Sequence, residues 1–283
     1  MSAVLSTGSI RAVKHVVRFE DVSLDFDGQN ALDRVSFGVA PGESRVILGS
    51  AGSGKTVLLK LTVGLIKPTG GRIFLFDQDI THEEDEDLID KRALTGILFQ
   101  EGGLFDSLTI EENVAYPLLN QRSRKSKPPS PAEVEAKVRE ALRFVELEHT
   151  LEKFPSELSG GMRRRVGIAR AIVTTPPLVL YDSPTAGLDP ITANTIMALI
   201  LKERDTRGTT TMIVTHRYQD GNLMANFRYN PNSGELERVP HGDSAADRKV
   251  KFMVLQDGRL VFEGTERELQ ASRDPYISKF VKR

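Results

Sequence analysis

Apolar and polar positions along this chain follow two different periods. From Val16 to Leu24 they alternate among β-branched residues, which predicts a half-buried strand; Leu32 to Val39 reads as its antiparallel partner across a turn at Asp27-Gly28. Arg45 to Leu48 is short and apolar and runs straight into Gly49 and Ser50, the pattern of a buried strand feeding a glycine-rich loop. Val57 to Leu65 then repeats at helical spacing, and Arg72 to Phe76 predicts another strand after Pro68, Gly70 and Gly71. Ile97 to Phe99, Leu178 to Tyr181 and Thr211 to Val214 are further buried-strand candidates. An amphipathic helix is predicted over Ala132 to Leu147, with Pro131 at its start, and another from Ser159 to about Val173. Lys251 to Leu255 and Arg259 to Glu263 flank Asp257-Gly258, a hairpin signal, and a short helix is expected from about Thr265. Buried strands alternating with helices predict an α/β fold with a mostly parallel sheet, and the strand-rich start and closing hairpin predict an antiparallel edge.

Three stretches break the pattern. Glu83 to Asp90 is strongly acidic and reads as a solvated helix face or loop. Residues 121–131 form a basic, proline-rich hinge or loop. Asn226 to Pro240 is polar and turn-rich, open to a plain loop, a β-hairpin insertion or a regulatory element. No internal repeat is visible.

Composition narrows the classes. The 283 residues bury a sizeable core. A net charge of −1 leaves no global pull toward nucleic acid or anionic lipid, so no nucleic-acid partner is expected. With no cysteine, disulfides and thiolate metal sites are excluded. No apolar run reaches the roughly 18 residues that span a bilayer, and residues 1–15 read as a loose leader without a secretory core.

The strongest chemical signal is Gly49-Ser50-Ala51-Gly52-Ser53-Gly54-Lys55-Thr56, which matches the Walker A pattern G-x-x-x-x-G-K-[ST] between a predicted strand and helix. Its glycines let backbone N–H groups curl around phosphate oxygens, Lys55 reaches the β- and γ-phosphates, and Thr56 ligates Mg²⁺. Leu178 to Tyr181 followed by Asp182 is an apolar strand ending in a carboxylate, the Walker B arrangement that sets Asp182 beside the metal. Leu158-Ser159-Gly160-Gly161-Met162 opens a helix that Ser159 can cap. Arg163, Arg164 and Arg165 follow in its first turn, either pointing into solvent or contacting a partner or phosphate.

Walker A, Gln100, Leu158–Met162, Asp182, Ala186-Gly187-Leu188-Asp189 and His216 occur in the order of ABC transporter ATPases. The chain resembles that family over about residues 16–216 and again over 251–282. The resemblance implies a P-loop NTPase core with a mostly parallel sheet, an antiparallel β subdomain and a helical subdomain at about 101–172, all within one ATP-binding domain of residues 16–283. It implies ATP and Mg²⁺ as cofactors and a homodimer that sandwiches two ATP molecules head to tail. By the same resemblance Phe26 stacks on adenine, and Gln100 senses the metal and the attacking water. Ser159, Gly160 and Gly161 bind the γ-phosphate held by the opposite subunit. Asp189 lies in the loop crossing the dimer interface, and His216 contacts the γ-phosphate.

Two stretches narrow the resemblance. Met162 stands where glutamine is usual, and Leu104-Phe105-Asp106-Ser107-Leu108-Thr109 follows the glutamine segment. Both resemble the ATPases of Mce/Mla-type lipid transporters. That likeness implies an integral membrane permease, an MCE-domain lipid-binding partner, a phospholipid or related cargo, and a place on the cytoplasmic face of the inner membrane. One position departs: Ser183 stands where the family carries the water-orienting glutamate. A serine is shorter and no base at neutral pH, so ATP binding is expected with slow hydrolysis, Gln100 and His216 holding the water. Two alternatives stand beside this: an exchange made to trap the ATP-bound dimer, and a scaffold that dimerises on ATP with little turnover. Relatives acting in DNA repair or translation usually carry two nucleotide domains or a coiled-coil insertion, and the chain has one Walker A and no heptad run.

Overall fold

The computed structural model describes residues 13–26, 28–100, 102–121, 127–239 and 249–281. Most of the 1–15 leader, Asp27 of the first turn and the central part of the basic hinge therefore lie outside the described residues. Twelve strands are described: β1 (Val17–Phe26), β2 (Gln29–Val39), β3 (Ser44–Gly49), β4 (Gly70–Leu75), β5 (Gln78–Asp79), β6 (Thr95–Leu98), β7 (Leu178–Asp182), β8 (Thr210–Val214), β9 (Phe227–Asn230), β10 (Glu235–Arg238), β11 (Val250–Gln256) and β12 (Arg259–Gly264). The helices are α1 (Lys55–Thr62), α2 (Asp85–Arg92), α3 (Ile110–Asn120), α4 (Pro131–Phe144), α5 (Gly160–Ile172), α6 (Pro190–Arg207), α7 (Tyr218–Asn226), α8 (Glu266–Ala271) and α9 (Pro275–Val281).

Six strands run in the order β12-β11-β3-β8-β7-β6, parallel throughout except for the β11–β12 hairpin. Both faces of this sheet are buried, which is why its strands read as unbroken apolar runs. Side-chain alternation divides them between two cores. Val46, Leu48, Val179, Tyr181, Ile213 and Phe252 face α3 to α6, while Ile47, Leu180, Met212, Val214 and Met253 face α1 and the antiparallel sheet β2-β1-β4-β5. Each fully buried aliphatic side chain contributes about 1.5–3 kcal/mol relative to exposure.

Local chemistry sets the helix starts. Ser130 forms a capping box with Glu133, with Pro131 in the first turn of α4, and Thr109 forms another with Glu112 for α3. The acidic stretch is helical from Asp85, and three of its acids, Asp85, Glu86 and Asp87, fall in the first turn of α2, where the helix dipole favours them. Leu88 of the same helix is buried, and Lys91 pairs with Glu83 at 2.6 Å. Of the alternatives for the turn-rich stretch, the structure shows a β-hairpin: β9 and β10 pair around 231–234, preceded by α7. The hairpin is held to α6 by Asp205, which accepts from Tyr229 N at 2.8 Å, and by buried Arg204, which donates to the Met224 and Phe227 carbonyls.

Glu203 on α6 is wholly buried and accepts a hydrogen bond from the Thr209 hydroxyl at 2.7 Å. Burial lifts its carboxyl from the ordinary 4.5 to about 7, against the opposing pull of the Thr209 bond and Arg207. Because the folded-state pKa is raised, the contribution to stability is full below about pH 4.5 and is lost as pH rises through 7. Urea unfolding of the natural protein and Glu203→Gln should therefore diverge with pH: between about pH 5.5 and 8 the variant gains on the order of 2 kcal/mol relative to the natural protein. An unchanging difference would place the ionisation elsewhere.

Candidate functional site

The parallel strands end together along one edge of the sheet, where open α/β folds bind ligands. β3 ends at Gly49, β8 at Val214 and β7 at Asp182, with β8 between the other two. Backbone bonds carry the register past the strand ends: Ser183 N donates to Val214 O at 2.8 Å, and Thr215 N to Ile47 O at 3.0 Å.

From β3 the chain turns through Gly49–Gly54 into α1. Gly52 and Gly54 lie in the left-handed region, at φ +77° and +97°, where a side chain is strained. A Cβ on Gly49 would stand 2.3 Å from Ser53 Oγ and 2.7 Å from the Leu255 carbonyl. Ser50, Ala51, Gly52 and Thr56 are exposed, and Ser53 is buried beneath them. Lys55 bends back over this loop: its Nζ donates to Ser50 O at 2.7 Å, to Gly49 O at 2.9 Å and to Ser53 Oγ at 3.3 Å. Burial lowers its pKa, and the nearby Asp182 carboxylate opposes that shift. The loop thus presents exposed backbone and an ammonium beside a carboxylate, donors that suit a phosphate chain with a divalent cation.

Asp182 is 4% exposed. Ser183 Oγ donates to Asp182 Oδ1 at 3.0 Å, and Ser183 itself takes a left-handed φ of +50°. His216 is exposed just beyond β8, and Gln100 is exposed just beyond Phe99. Phe26 is half exposed at the end of β1.

Ser159, Gly160, Gly161 and Asp189 meet in a separate concavity, shared with Leu188 and Thr192; no residue of the Gly49–Thr56 loop lines it. Ser159 caps α5, accepting from Met162 N at 3.3 Å. Asp189 caps α6, accepting from Ile191 N and Thr192 N at 3.0 Å and from Thr192 Oγ1 at 2.5 Å, and these bonds, the Thr192 hydroxyl first, hold its carboxyl below the ordinary range. Its carboxylate is therefore occupied in shaping the start of α6.

The three arginines after Met162 answer the solvent-or-ligand question differently: each donates to a protein carbonyl. Arg163 reaches Leu158 O at 2.7 Å, Arg165 reaches Val145 O at 3.3 Å, and buried Arg164 reaches Phe99 O at 3.4 Å and Ala186 O at 3.2 Å. Arg164 so ties the segment before Gln100 to the loop before Asp189. Arg170, six residues further along α5, holds Gly102 O and Gly103 O at 3.1 and 2.7 Å.

Asp220 of α7 belongs to none of the sequence motifs. It is buried, and one carboxylate oxygen accepts from Thr185 Oγ1 at 2.6 Å and Thr215 Oγ1 at 2.7 Å, with Arg217 at 3.8 Å. It brackets the loop after Asp182 to the loop that carries His216. Its sequence signal is weak, an acid four residues past a histidine in an irregular stretch.

A strand–glycine loop–helix unit with a buried aspartate on a nearby parallel strand defines a phosphate-loop, nucleotide-binding α/β protein. Residues 32–186 match the ABC transporter family, and the chain belongs to it. It is 36% identical over 200 residues to a probable ribonucleotide transport ATP-binding protein, mkl, of Mycobacterium leprae; that match covers 71% of this chain and 56% of the mkl protein, so the chain spans little more than half of this relative's length. It is 32% identical over 271 residues, 96% of this chain and 90% of the other, to the intermembrane phospholipid transport system ATP-binding protein MlaF of Escherichia coli K12. Among solved structures, the ATP-binding cassette MJ0796, a dimer in a post-hydrolysis state with ADP and Pi, superposes with a TM-score of 0.72 at 29% identity, covering 88% of this chain and 98% of that one.

Removing the Asp220 carboxylate strands two buried hydroxyls. Asp220→Ala should cost about 2–4 kcal/mol in urea unfolding. A loss under about 0.5 kcal/mol would show that the two loops are held by other means.

Proposed function

We propose that this chain binds ATP with Mg²⁺ at Gly49–Thr56 and Asp182, hydrolyses it slowly, and powers a transporter as a homodimer beneath an integral membrane permease on the cytoplasmic membrane face. The observation that carries this reading is Lys55, held over the glycine loop at the end of β3 and electrostatically coupled to Asp182 at the end of β7. Thr56, Asp182 and Gln100 would hold Mg²⁺, which would supply positive charge to offset that of the phosphates. Among the described residues no group of three or more His, Asp and Glu side chains gathers into a cage. Phe26, half exposed, serves as the adenine platform.

The dimer follows from the separation of the two half-sites. Ser159–Gly161 and Asp189 form their own concavity at the N-termini of α5 and α6, and a second copy supplies the nucleotide they face. The permease docks in a cavity of about 500 Å³ beside the segment after Gln100, lined by Leu65, Ile89, Phe99, Phe105, Tyr116 and Arg170. That segment is firmly set: buried Asn113 accepts from Phe105 N at 2.8 Å and donates to the Phe105, Leu108 and Thr109 carbonyls, and Phe105 packs on Tyr116 at 4.7 Å. Among the described residues no helix is long and apolar enough to cross a membrane, so membrane attachment through a permease is the fitting arrangement. For cargo, the match to the phospholipid transport protein MlaF, which spans 96% of this chain and 90% of that one, supports a phospholipid or related lipid; the MCE-domain partner is carried over from the resemblance of Met162 and Leu104–Thr109 to the Mce/Mla-type ATPases.

Slow turnover rests on Ser183. Its hydroxyl proton is given to Asp182, it carries no charge at neutral pH, and it is too short to stand in for a carboxylate. The same feature favours the second reading, a scaffold that dimerises on ATP without consuming it. Steady-state ATP turnover of the natural protein beside Ser183→Glu, with Lys55→Ala as background, separates these. The proposal expects the glutamate variant to be about 10²-fold faster or more and the natural protein to remain above background. A natural protein at background that still dimerises with ATP selects the scaffold; equal, solid rates for the natural protein and the glutamate variant mean another group positions the water.

A further inference from the structure

We propose that Tyr276 of the C-terminal helix α9 is a positioning residue for the phosphate loop, and that its hydroxyl raises the chain's affinity for a nucleoside triphosphate by holding Ser50 in place; this rests on the reading of Gly49–Thr56 as the ATP site. Tyr276 lies 226 residues from Ser50 in sequence, yet its hydroxyl accepts the Ser50 backbone N–H at 3.0 Å. Ser50 Oγ stands 3.1 Å from the same oxygen, and the Leu255 carbonyl 3.0 Å. A carbonyl can only accept, so the phenolic proton goes to Leu255 and the oxygen stays free to receive the Ser50 amide.

Those three contacts fall at the root of the loop. Leu255 pairs with Gly49 in the parallel β11–β3 ladder, and its carbonyl is one of the two atoms that a side chain on Gly49 would strike first. Ser50 is the first residue beyond β3, and its own carbonyl takes both the Lys55 ammonium at 2.7 Å and the Ser53 amide at 3.2 Å. The Ser50 residue is thus gripped on its amide side by Tyr276 and on its carbonyl side by Lys55. Past it, Ala51 and Gly52 are exposed, and the left-handed glycines add no side chain to hold the loop. Lys55 must turn toward the phosphates to engage a nucleotide, which loosens the carbonyl side and leaves Tyr276 as the side-chain anchor at Ser50.

The anchor has a rigid mounting. Asp274 accepts from Tyr276 N at 2.8 Å and Ile277 N at 3.1 Å, Ile277 is buried, and the Tyr276 ring meets Phe280 edge-on at 5.3 Å. The preceding helix α8 is bound to α7, the helix that begins two residues after His216. Glu266 of α8 accepts from the Tyr218 hydroxyl at 2.5 Å, from Asn222 at 2.8 Å and from Asn226 at 2.6 Å, and Gln270 donates to Tyr218 at 2.7 Å. The two C-terminal helices therefore bridge the phosphate loop and the element behind His216. Holding the loop in its binding shape beforehand reduces the ordering cost of taking up a ligand, so the loss of one hydroxyl should appear as affinity.

Tyr276→Phe keeps the ring and its packing and removes only the hydroxyl. The test measures hydrogen–deuterium exchange of the loop without nucleotide, the melting temperature, and the Kd for a fluorescent ATP analogue with Mg²⁺, in the full-length natural protein, Tyr276→Phe and Lys55→Ala. The expected result is faster exchange at Ser50, a melting temperature within about 2 °C, and a Kd roughly 3- to 10-fold weaker, the span of one or two net hydrogen bonds. Steady-state turnover should show the same rise in KM with kcat within about twofold. Unchanged loop exchange and unchanged Kd, in a natural protein that binds ATP and loses it with Lys55→Ala, overturn the role of Tyr276. A natural protein that binds no nucleotide overturns the ATP site itself and the affinity role with it, even where the exchange at Ser50 responds to the missing hydroxyl.

Discussion

The rest of the structure depends on where β8 sits. It lies between β3 and β7 with both neighbours parallel to it, so the glycine loop, the Asp182 carboxylate and the His216 segment all leave the sheet from one edge. A parallel sheet needs cover on both faces. The antiparallel sheet and α1 cover one face, and α3 to α6 cover the other. Slip β8 by one residue and Ile213 changes cores with Val214, while the backbone bonds of Ser183 and Thr215 lose their partners. Register in the core and alignment in the site are thus set by the same ladder.

Side chains brought in from far along the chain hold the loops beyond that edge. Arg164 and Arg170 reach from α5 to carbonyls on either side of Gln100, Asp220 clasps Thr185 to Thr215, and Tyr276 reaches Ser50. Arg164, Arg170 and Asp220 are buried, where an unmet polar group costs more than at the surface, so each bond is costly to break. Loops held in this way need little further ordering when a ligand arrives. The surface of the phosphate loop from Ser50 to Gly52 is left open, as are Thr56, Gln100 and His216.

Ser183 is the point at which this frame and its chemistry part. Its backbone is fully engaged, with the amide on Val214 and a left-handed φ, and its side chain turns to Asp182. The backbone thus fixes position 183, and the water-orienting role proposed for that place is open to test by substitution of its side chain.

Much of this was legible in the chain. Phosphate-loop chemistry is local: Gly52, Gly54 and Lys55 have their roles written in spacing, because backbone N–H groups, left-handed glycines and a lysine need no distant partner. The strands of the parallel sheet showed as apolar runs because both their faces are buried, and α4 showed because it is capped by Ser130 and amphipathic. The longest helix, α6, gave no such signal. Its buried residues, from Ala193 through Ile200 and Leu201 to Glu203 and Arg204, spread too far around it to leave a clean stripe. α3 hid behind an internal Pro117 and a buried Asn113 that serves the loop before it. The sequence by itself determined the class of fold and the strand–glycine loop–helix unit, because those rest on periodicity and near-neighbour geometry. Only the tertiary structure decided that Arg164 would hold the Phe99 and Ala186 carbonyls, that Asp220 would bracket two loops, and that Tyr276 would meet Ser50, because those contacts span up to 226 residues and arise only once the fold has brought their elements together.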